Sequence, residues 1–564
     1  LCFVGWERIA ATVTGRRSWL VGVGVVFLGI GLIVLIGGNP AAGTAPPSMP
    51  VDSDSAKVDA LARSFTGGDQ FPLIVVANRA DGAILDPADV NSANAATDRM
   101  RVLTSPTQPV AAAGPATVSA DGKAAIGVVP VSAELSGLRL NDAVAALRAA
   151  AVTGLPTGLA AHVTGGPAFG ADIANAFSDA NVTLLVVTAS VVALLLIATY
   201  RSPVLWLAPL VVIAFADRVS ASVGTAVASL TGLSFDGATS GITSVLVFGA
   251  GTNYALLLIS RYRQELRSHA EHREALRRAV RMAGPAILAS NATVVLALLT
   301  LVFASTPSTR SLGALAACGL AVAAASVLLV LPPLLAVCGR RLFWPFIPHA
   351  DNAAALDSGA WHRVAERVAR RPALVAAVAI AALAVLATGL VGTRIGLTQT
   401  EQFRVRADSV SGYDVVAAHF PAGLTNPTLI VAPTAQAPNV QQTISATRGV
   451  VSVTESGQAG IGSTNWSKWS VVTDAPPSSD RAFTIIAALR NSITTVSPGA
   501  LVGGPDAQAL DVRDAATHDR LLLIPGILAV ILVVLYALLR SVLAPPTLLA
   551  STILGALAAL GLGS

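Results

Sequence analysis

Nine apolar stretches interrupt this sequence, and they decide its class before any motif does. They are 19–38, 182–200, 204–230, 242–260, 285–304, 312–338, 373–391, 521–539 and 542–562. A hydrocarbon layer about 30 Å thick is crossed by roughly 20 helical residues. A helix is the required form because it satisfies its own backbone hydrogen bonds where no water is present. Only 12% of the 564 residues are charged, about half the share usual in soluble domains. The expected fold class is therefore an α-helical polytopic membrane protein. A cleaved signal peptide is the competing reading of 19–38. Its length and the poor cleavage context Gly37-Gly38-Asn39-Pro40 favour an uncleaved span.

Arginines orient the spans. Segment 261–284 carries Arg261, Arg263, Arg267, Arg273, Arg277, Arg278 and Arg281, and 339–372 carries Arg340, Arg341, Arg363, Arg367, Arg370 and Arg371. Arg8, Arg16 and Arg17 precede the first span, and Arg201 and Arg540 lie in tight turns. The alternate short loops, 231–241 and 305–311, have Arg310 as their sole basic residue. Positive charge stays on the cytoplasmic side, which predicts a cytoplasmic N-terminus. The two long polar segments, 39–181 and 392–520, are then extracytoplasmic. The net charge of +5 follows from this clustering, and no nucleic-acid partner is expected. Within 261–284, Tyr262, Leu266, Leu276 and Val280 recur at helical spacing. This predicts either an amphipathic helix on the inner membrane surface or a solvated linker.

The layout occurs twice. Gly165-Gly166-Pro167, then Asp172, a span and Tyr200-Arg201-Ser202 are matched by Gly503-Gly504-Pro505, Asp511, a span and Leu539-Arg540-Ser541. Arg16-Arg17 and Arg370-Arg371 stand alike before the first and seventh spans. A tandem duplication, a recurrent transporter architecture, is expected. The domain plan is 1–38 leader and first span, 39–181 first extracytoplasmic domain and 182–338 spans two to six. A cytoplasmic linker at 339–372, the seventh span at 373–391, the second extracytoplasmic domain at 392–520, and spans eight and nine at 521–564 complete it. The last span is expected to be cut short by the chain end. Each polar segment alternates helices and strands, as compact α/β sandwiches do. Helices are predicted at 54–66, 86–102, 137–151, 409–420, 437–446 and 479–493. Strands are predicted at 71–78, 124–131, 159–164, 428–432, 450–454, 469–473 and 500–502. Neither segment contains cysteine, so both fold without disulfides or thiolate metal sites.

The fourth span reads Phe248-Gly249-Ala250-Gly251-Thr252-Asn253-Tyr254-Ala255-Leu256, followed by Arg261-Tyr262-Arg263. It resembles the fourth-span signature of the MmpL family of resistance–nodulation–division transporters, Phe-Gly-Ala-Gly-Thr-Asp-Tyr-Ala-Leu. The resemblance implies twelve spans, two porter-like extracytoplasmic domains, and proton-driven export of lipids or other hydrophobic molecules. Asn253 stands where the family has Asp. On this reading the tenth span, which carries the family's second Asp-Tyr copy, is also absent.

A proton-driven pump needs a titratable group within the membrane, and burial raises a carboxyl pKa toward working pH. An amide does not titrate in that range. Asn253, Tyr254 and Asp217 are thus the coupling candidates: a former coupling site, its hydrogen-bonding neighbour and a replacement carboxylate. The plain reading of Asn253 is an interhelical hydrogen bond. Asp217 and Arg218 are adjacent, hence a poor intrahelical pair, expected to line a vestibule or snorkel outward. At about 1.5 Å per residue, Asp217 and Asn253 differ in depth by roughly 10 Å, which argues against contact. Gly22, Gly24, Gly29 and Gly31 are expected to permit close helix packing. Asp172, Asp179, Asp511 and Asp519 read as solvated helix starts, and His162, His419 and His518 as isolated surface or packing residues.

No phosphate-binding loop, His-Glu-x-x-His or Gly-x-Ser-x-Gly occurs, so neither enzymatic activity nor a cofactor or metal is expected. The expected partners are membrane lipids, lipidic cargo, a second copy of the chain and cell-envelope proteins. The rival readings are a non-transporting scaffold or inactive family remnant, and a lipid sensor.

Overall fold

The computed structural model describes residues 2–37, 49–65, 68, 70–104, 114–200, 202–235, 237–345, 347, 360–391, 407–424 and 426–563. Arg201, the 38–40 stretch and the start of the second polar segment fall outside these residues, as does the side chain of Asp179. The chain begins with α1 (Cys2–Thr14) and α2 (Ser18–Ile36). The first polar segment contains α3 (Asp54–Ala62), β1 (Gln70–Arg79), α4 (Pro87–Thr104), β2 (Thr117–Val118), β3 (Ala124–Ser132), α5 (Gly137–Val152) and β4 (Leu159–Thr164). A helical bundle follows: α6 (Gly166–Tyr200), α7 (Leu207–Thr231), α8 (Gly237–Ser268), α9 (His272–Leu299), α10 (Pro307–Leu329) and α11 (Leu331–Cys338). α12 (Ala360–Arg370) leads into α13 (Pro372–Ala387). The second polar segment contains α14 (Asp408–His419), β5 (Thr428–Pro433), α15 (Ala437–Ala446), β6 (Val450–Ile461), β7 (Thr464–Thr473), α16 (Asp480–Val496) and β8 (Leu501–Gly503). α17 (Pro505–Leu539) and α18 (Ala544–Gly563) end the chain.

Over the described residues, each apolar stretch is helical along most of its length. Among the described residues eight helices are long and apolar enough to cross a membrane, and the apolar part of α6, Leu185–Thr199, is a shorter addition. The last stretch was expected to be cut short. Instead α18 has 20 residues, about 30 Å at the helical rise, enough to cross.

Two expectations about the bundle need correction. α8 and α9 run on through 261–284 as a helical hairpin. Tyr262, Leu266, Leu276 and Val280 are fully buried there, in one core with Ala10, Leu335 and Phe343. Their periodicity reports packing against protein, not against the membrane surface. In α2, a Cβ on Gly22 would lie 3.0 Å from Pro333 Cβ and one on Gly29 2.3 Å from Phe215 Cζ, whereas Gly24 and Gly31 face open space. Positions 22 and 29 are two turns apart and share the packed face; 24 and 31 lie on another.

The polar segments fold as two four-stranded antiparallel sheets of matching order, β2-β3-β1-β4 and β6-β7-β5-β8. This is the structural form of the sequence repeat. β1 is apolar at consecutive positions because both its faces are covered. Leu73 and Val75 pack with Met100, Leu140 and Val144 of α4 and α5. Ile74 and Val76 face the other way, onto Val416 of α14. Likewise Ile430 and Ala432 of β5 meet α15 and α16, while Val431 meets Val58 and Phe65 from the α3 region. The opening helix of each polar segment therefore lies on the sheet of the other. Close approach is allowed by a missing side chain: a Cβ on Gly503 would be 2.6 Å from Val58 Cβ, and one on Gly412 3.0 Å from Thr164 Cβ.

β6 and β7 were legible only at their ends. Register shifts between Val450 and Ser452 and between Glu455 and Gly457 interrupt the alternation that marks a strand. Gly462, at φ +62, makes the turn.

Candidate functional site

The span bundle separates the sequence-selected residues. Tyr254 is buried, and its hydroxyl donates to Asn291 Oδ1 of α9 at 3.2 Å. Asn253, one residue earlier and so about 100° around the helix, is exposed. It lies on a stripe with Ile242, Val245, Gly249 and Leu257, all exposed, where a Cβ on Gly249 would meet nothing within 4 Å. Asn253 thus does not fill the expected role of an interhelical hydrogen bond, and Tyr254 serves a different neighbour. Asn291 went unremarked in the sequence; a buried amide inside an apolar run was the available signal.

Asp217 is 4% exposed. Contrary to the expectation for adjacent residues, Arg218 reaches back to it, with Nη2 at 2.5 Å and Nε at 3.1 Å from Oδ2. The spacing rule concerns the directions of Cβ atoms; the arginine stem is long enough to fold around the backbone. The Arg218 side chain is 58% exposed, so the carboxylate faces the bundle and its cation faces out. One turn on, Ser220 and Thr243 hold buried hydroxyls without hydrogen-bond partners. They pack around Gly319, whose Cβ would lie 2.8 Å from Ser220 Oγ and 3.0 Å from Thr243 Cγ2. This seam of α7, α8 and α10 is polar but closely packed. Asp217 and Asn253 are not brought together, as their depths implied.

A second constellation holds the exchanged helices. Arg148 of α5 donates to both oxygens of Asp172, at 2.6 and 2.8 Å, and through Nε to Asp408 Oδ2 at 3.2 Å. His162 Nδ1 lies 2.7 Å from Asp408 Oδ1. At the far end of α14, His419 Nδ1 lies 2.6 Å from Asp121 Oδ2. The mirrored cluster has Arg490 donating to Asp511 at 2.6 and 2.9 Å, and Ser55 Oγ donating to Asp511 Oδ2 at 2.6 Å. A cavity of about 230 Å³, lined by Arg148, Val152, Ala161 and Asp408 among others, adjoins the first cluster.

These contacts overturn two expectations. Asp172 and Asp511 are paired, and Asp519 accepts from the backbone N–H of Ser305 at 2.7 Å; none is a plain solvated helix start. His162 and His419 join the two sheet domains, whereas His518 is exposed as expected. Burial opposes ionisation of Asp408. Hydrogen bonds from His162 and the Val163 N–H, with the charge of Arg148, outweigh it and hold the carboxyl below its usual range. Hydrogen bonds from Ser119 and His419 do the same for Asp121. In the other clasp, burial pushes Asp59 up to about 6, against the hydrogen bond from Gln508. Among the described residues no group of three or more His, Cys, Asp or Glu could hold a metal.

A bundle of membrane-length helices under two duplicated, mutually clasped α/β domains defines a polytopic membrane transport protein. The chain belongs to the MMPL family, which matches residues 47–375 and 405–564. It is 37% identical over 98% of its length to the putative membrane protein ActII-3 of Streptomyces coelicolor, covering 77% of that protein. It is 28% identical over 72% of its length to the apo-petrobactin exporter of Bacillus anthracis, covering 58% of that protein. With the probable transport protein MmpL10 of Mycobacterium leprae it shares 30% identity over 55% of its length, covering 31% of that protein.

Proposed function

We propose that this protein exports a lipid or another hydrophobic molecule across the plasma membrane, driven by the proton gradient, with its N-terminus in the cytoplasm. The observation that carries the reading is Asp217, a buried carboxylate inside an apolar bundle. Such a group is costly unless it has a function or a partner, and its partner Arg218 is largely exposed. Asn253 has no proton to exchange, so coupling in this half passes through Asp217. A relative named as an exporter supports outward movement. Cargo would pass between the two porter-like domains, which rock against each other while the exchanged helices keep them joined.

The test is efflux of a fluorescent lipid analogue from proteoliposomes holding the full chain, with and without an imposed pH gradient. Asp217→Asn is expected to abolish the gradient-dependent part, and Asn253→Asp to increase it. Gradient dependence that survives Asp217→Asn would move the proton route elsewhere. Absence of efflux in every folded variant would favour the scaffold. For orientation, a cysteine at Ser463, exposed in the β6–β7 turn, should react with an impermeant thiol reagent in intact spheroplasts, and one at Ser268 should not; the reverse would invert the topology.

A further inference from the structure

Among the described residues, α12 is the Arg-rich helix whose apolar side no other part of the protein covers. In α8 and α9 the apolar residues Tyr262, Leu266, Leu276 and Val280, which share these helices with arginines, are fully buried. In α12 every described side chain, 363–370, is exposed, with Val364 at 50% and Val368 at 41%. At 100° per residue, Val364, Ala365 and Val368 fall on one side, and Arg363, Arg367 and Arg370 fall nearly opposite. Arg370 is engaged by Glu366 at 2.5 Å, an exposed pair of little weight; the helix and Arg371 together hold four arginines against that single acid. A single residue, Arg371, separates α12 from α13. α13 is a candidate membrane span without buried residues. The connection therefore holds α12 within a few ångströms of the bilayer surface, however the rest of the molecule moves.

We propose that α12 docks in the membrane interface, its apolar side in the acyl boundary and its arginines on the phosphodiester groups of anionic phospholipids. Two features on one element select this occupant. A helix of this amphipathicity needs an apolar–polar boundary, and an excess of arginine draws it to an anionic headgroup layer rather than a zwitterionic one. The bilayer is the surface already present where the helix emerges.

The test uses the full chain with its three cysteines replaced by alanine. Val364→Cys is labelled with an environment-sensitive fluorophore and reconstituted in vesicles of phosphatidylcholine alone or mixed with phosphatidylglycerol. Expected are a blue-shifted emission and several-fold lower iodide quenching in the mixed vesicles, both reversed by high salt. The change should be lost in the triple variant Arg363→Gln, Arg367→Gln and Arg370→Gln. The triple variant's helix propensity is nearly unchanged, and its melting temperature confirms the fold. Equal shifts in both lipids would overturn the recognition of anionic headgroups. An unshifted, fully quenchable probe in both would overturn docking altogether. A shift that vanishes as the lipid-to-protein ratio rises would assign the face to a second copy of the chain and overturn the proposal.

Discussion

Replacing Arg148 by methionine tests whether the first clasp holds the exchanged helix. Arg148 makes hydrogen bonds of 2.6 and 2.8 Å to Asp172 and 3.2 Å to Asp408, with its own side chain 23% exposed. Truncating one partner of a buried ion pair costs about 3–5 kcal/mol, because the remaining charge stays desolvated. Here two carboxylates lose their common cation, but Asp408 is 33% exposed, so solvent screening places the cost near the low end, about 3 kcal/mol. That cost falls on the docking of α14, since Asp408 belongs to α14 and Arg148 and Asp172 to the opposite domain. Local opening of α14 should become more frequent by about a hundredfold, at 1.4 kcal/mol per tenfold. The assay is amide hydrogen exchange on the purified full chain, followed in peptides covering 408–419. Adding Asp172→Asn removes one unpaired charge and should recover about tenfold of the lost protection. Arg490→Met is the mirrored control and should release 54–62 while leaving 408–419 protected. Unchanged exchange in 408–419, or equal loss at both helices in both variants, would refute local clasping. So would additivity of the Arg148 and Asp172 changes.

The two clasps should respond oppositely to pH. Asp59 is raised to about 6, so its contribution is fully present below its unfolded value near 4 and is lost as pH rises through 6. Exchange in 54–62 should increase between pH 5 and 7.5, and Asp59→Asn should flatten that change and stabilise the helix by about 1–2 kcal/mol at pH 7.5 after discounting for partial exposure. Asp408 is depressed, so its contribution is present above the unfolded value and is lost as pH falls through the folded one; 408–419 should loosen in acid. In the bundle, Gly319→Ala would place a Cβ 2.8 Å from Ser220 Oγ, at a cost of about 1–3 kcal/mol in chemical or thermal melts. Ser220→Ala should be nearly neutral alone, because its hydroxyl is unpartnered, and should restore part of the loss in the double variant.

The sequence by itself determined the local structure. Apolar length set the membrane helices, and the spacing of small, apolar and turn residues set nearly every helix and strand of the two sheet domains. The repeat predicted their matching order, since duplicated patterns bury duplicated faces. The fourth-span residues Phe248 to Leu256 carried the family. Tertiary structure decided which faces meet. β1 and β5 are apolar on both sides, and periodicity cannot name the layer that covers each side; only the folded chain lays α14 on the first sheet and α3 on the second. The same holds for the polar groups. His162 with Asp408, and His419 with Asp121, are more than 240 residues apart, so nothing local in the sequence pairs them. Tyr254 and Asn253 are neighbours in the chain, yet helical geometry turns one into the bundle and the other out of it. Arginine periodicity was ambiguous for a related reason. An apolar stripe beside arginines reads alike whether it will face protein, as in α8 and α9, or remain uncovered, as in α12, because the partner surface comes from elsewhere in the chain.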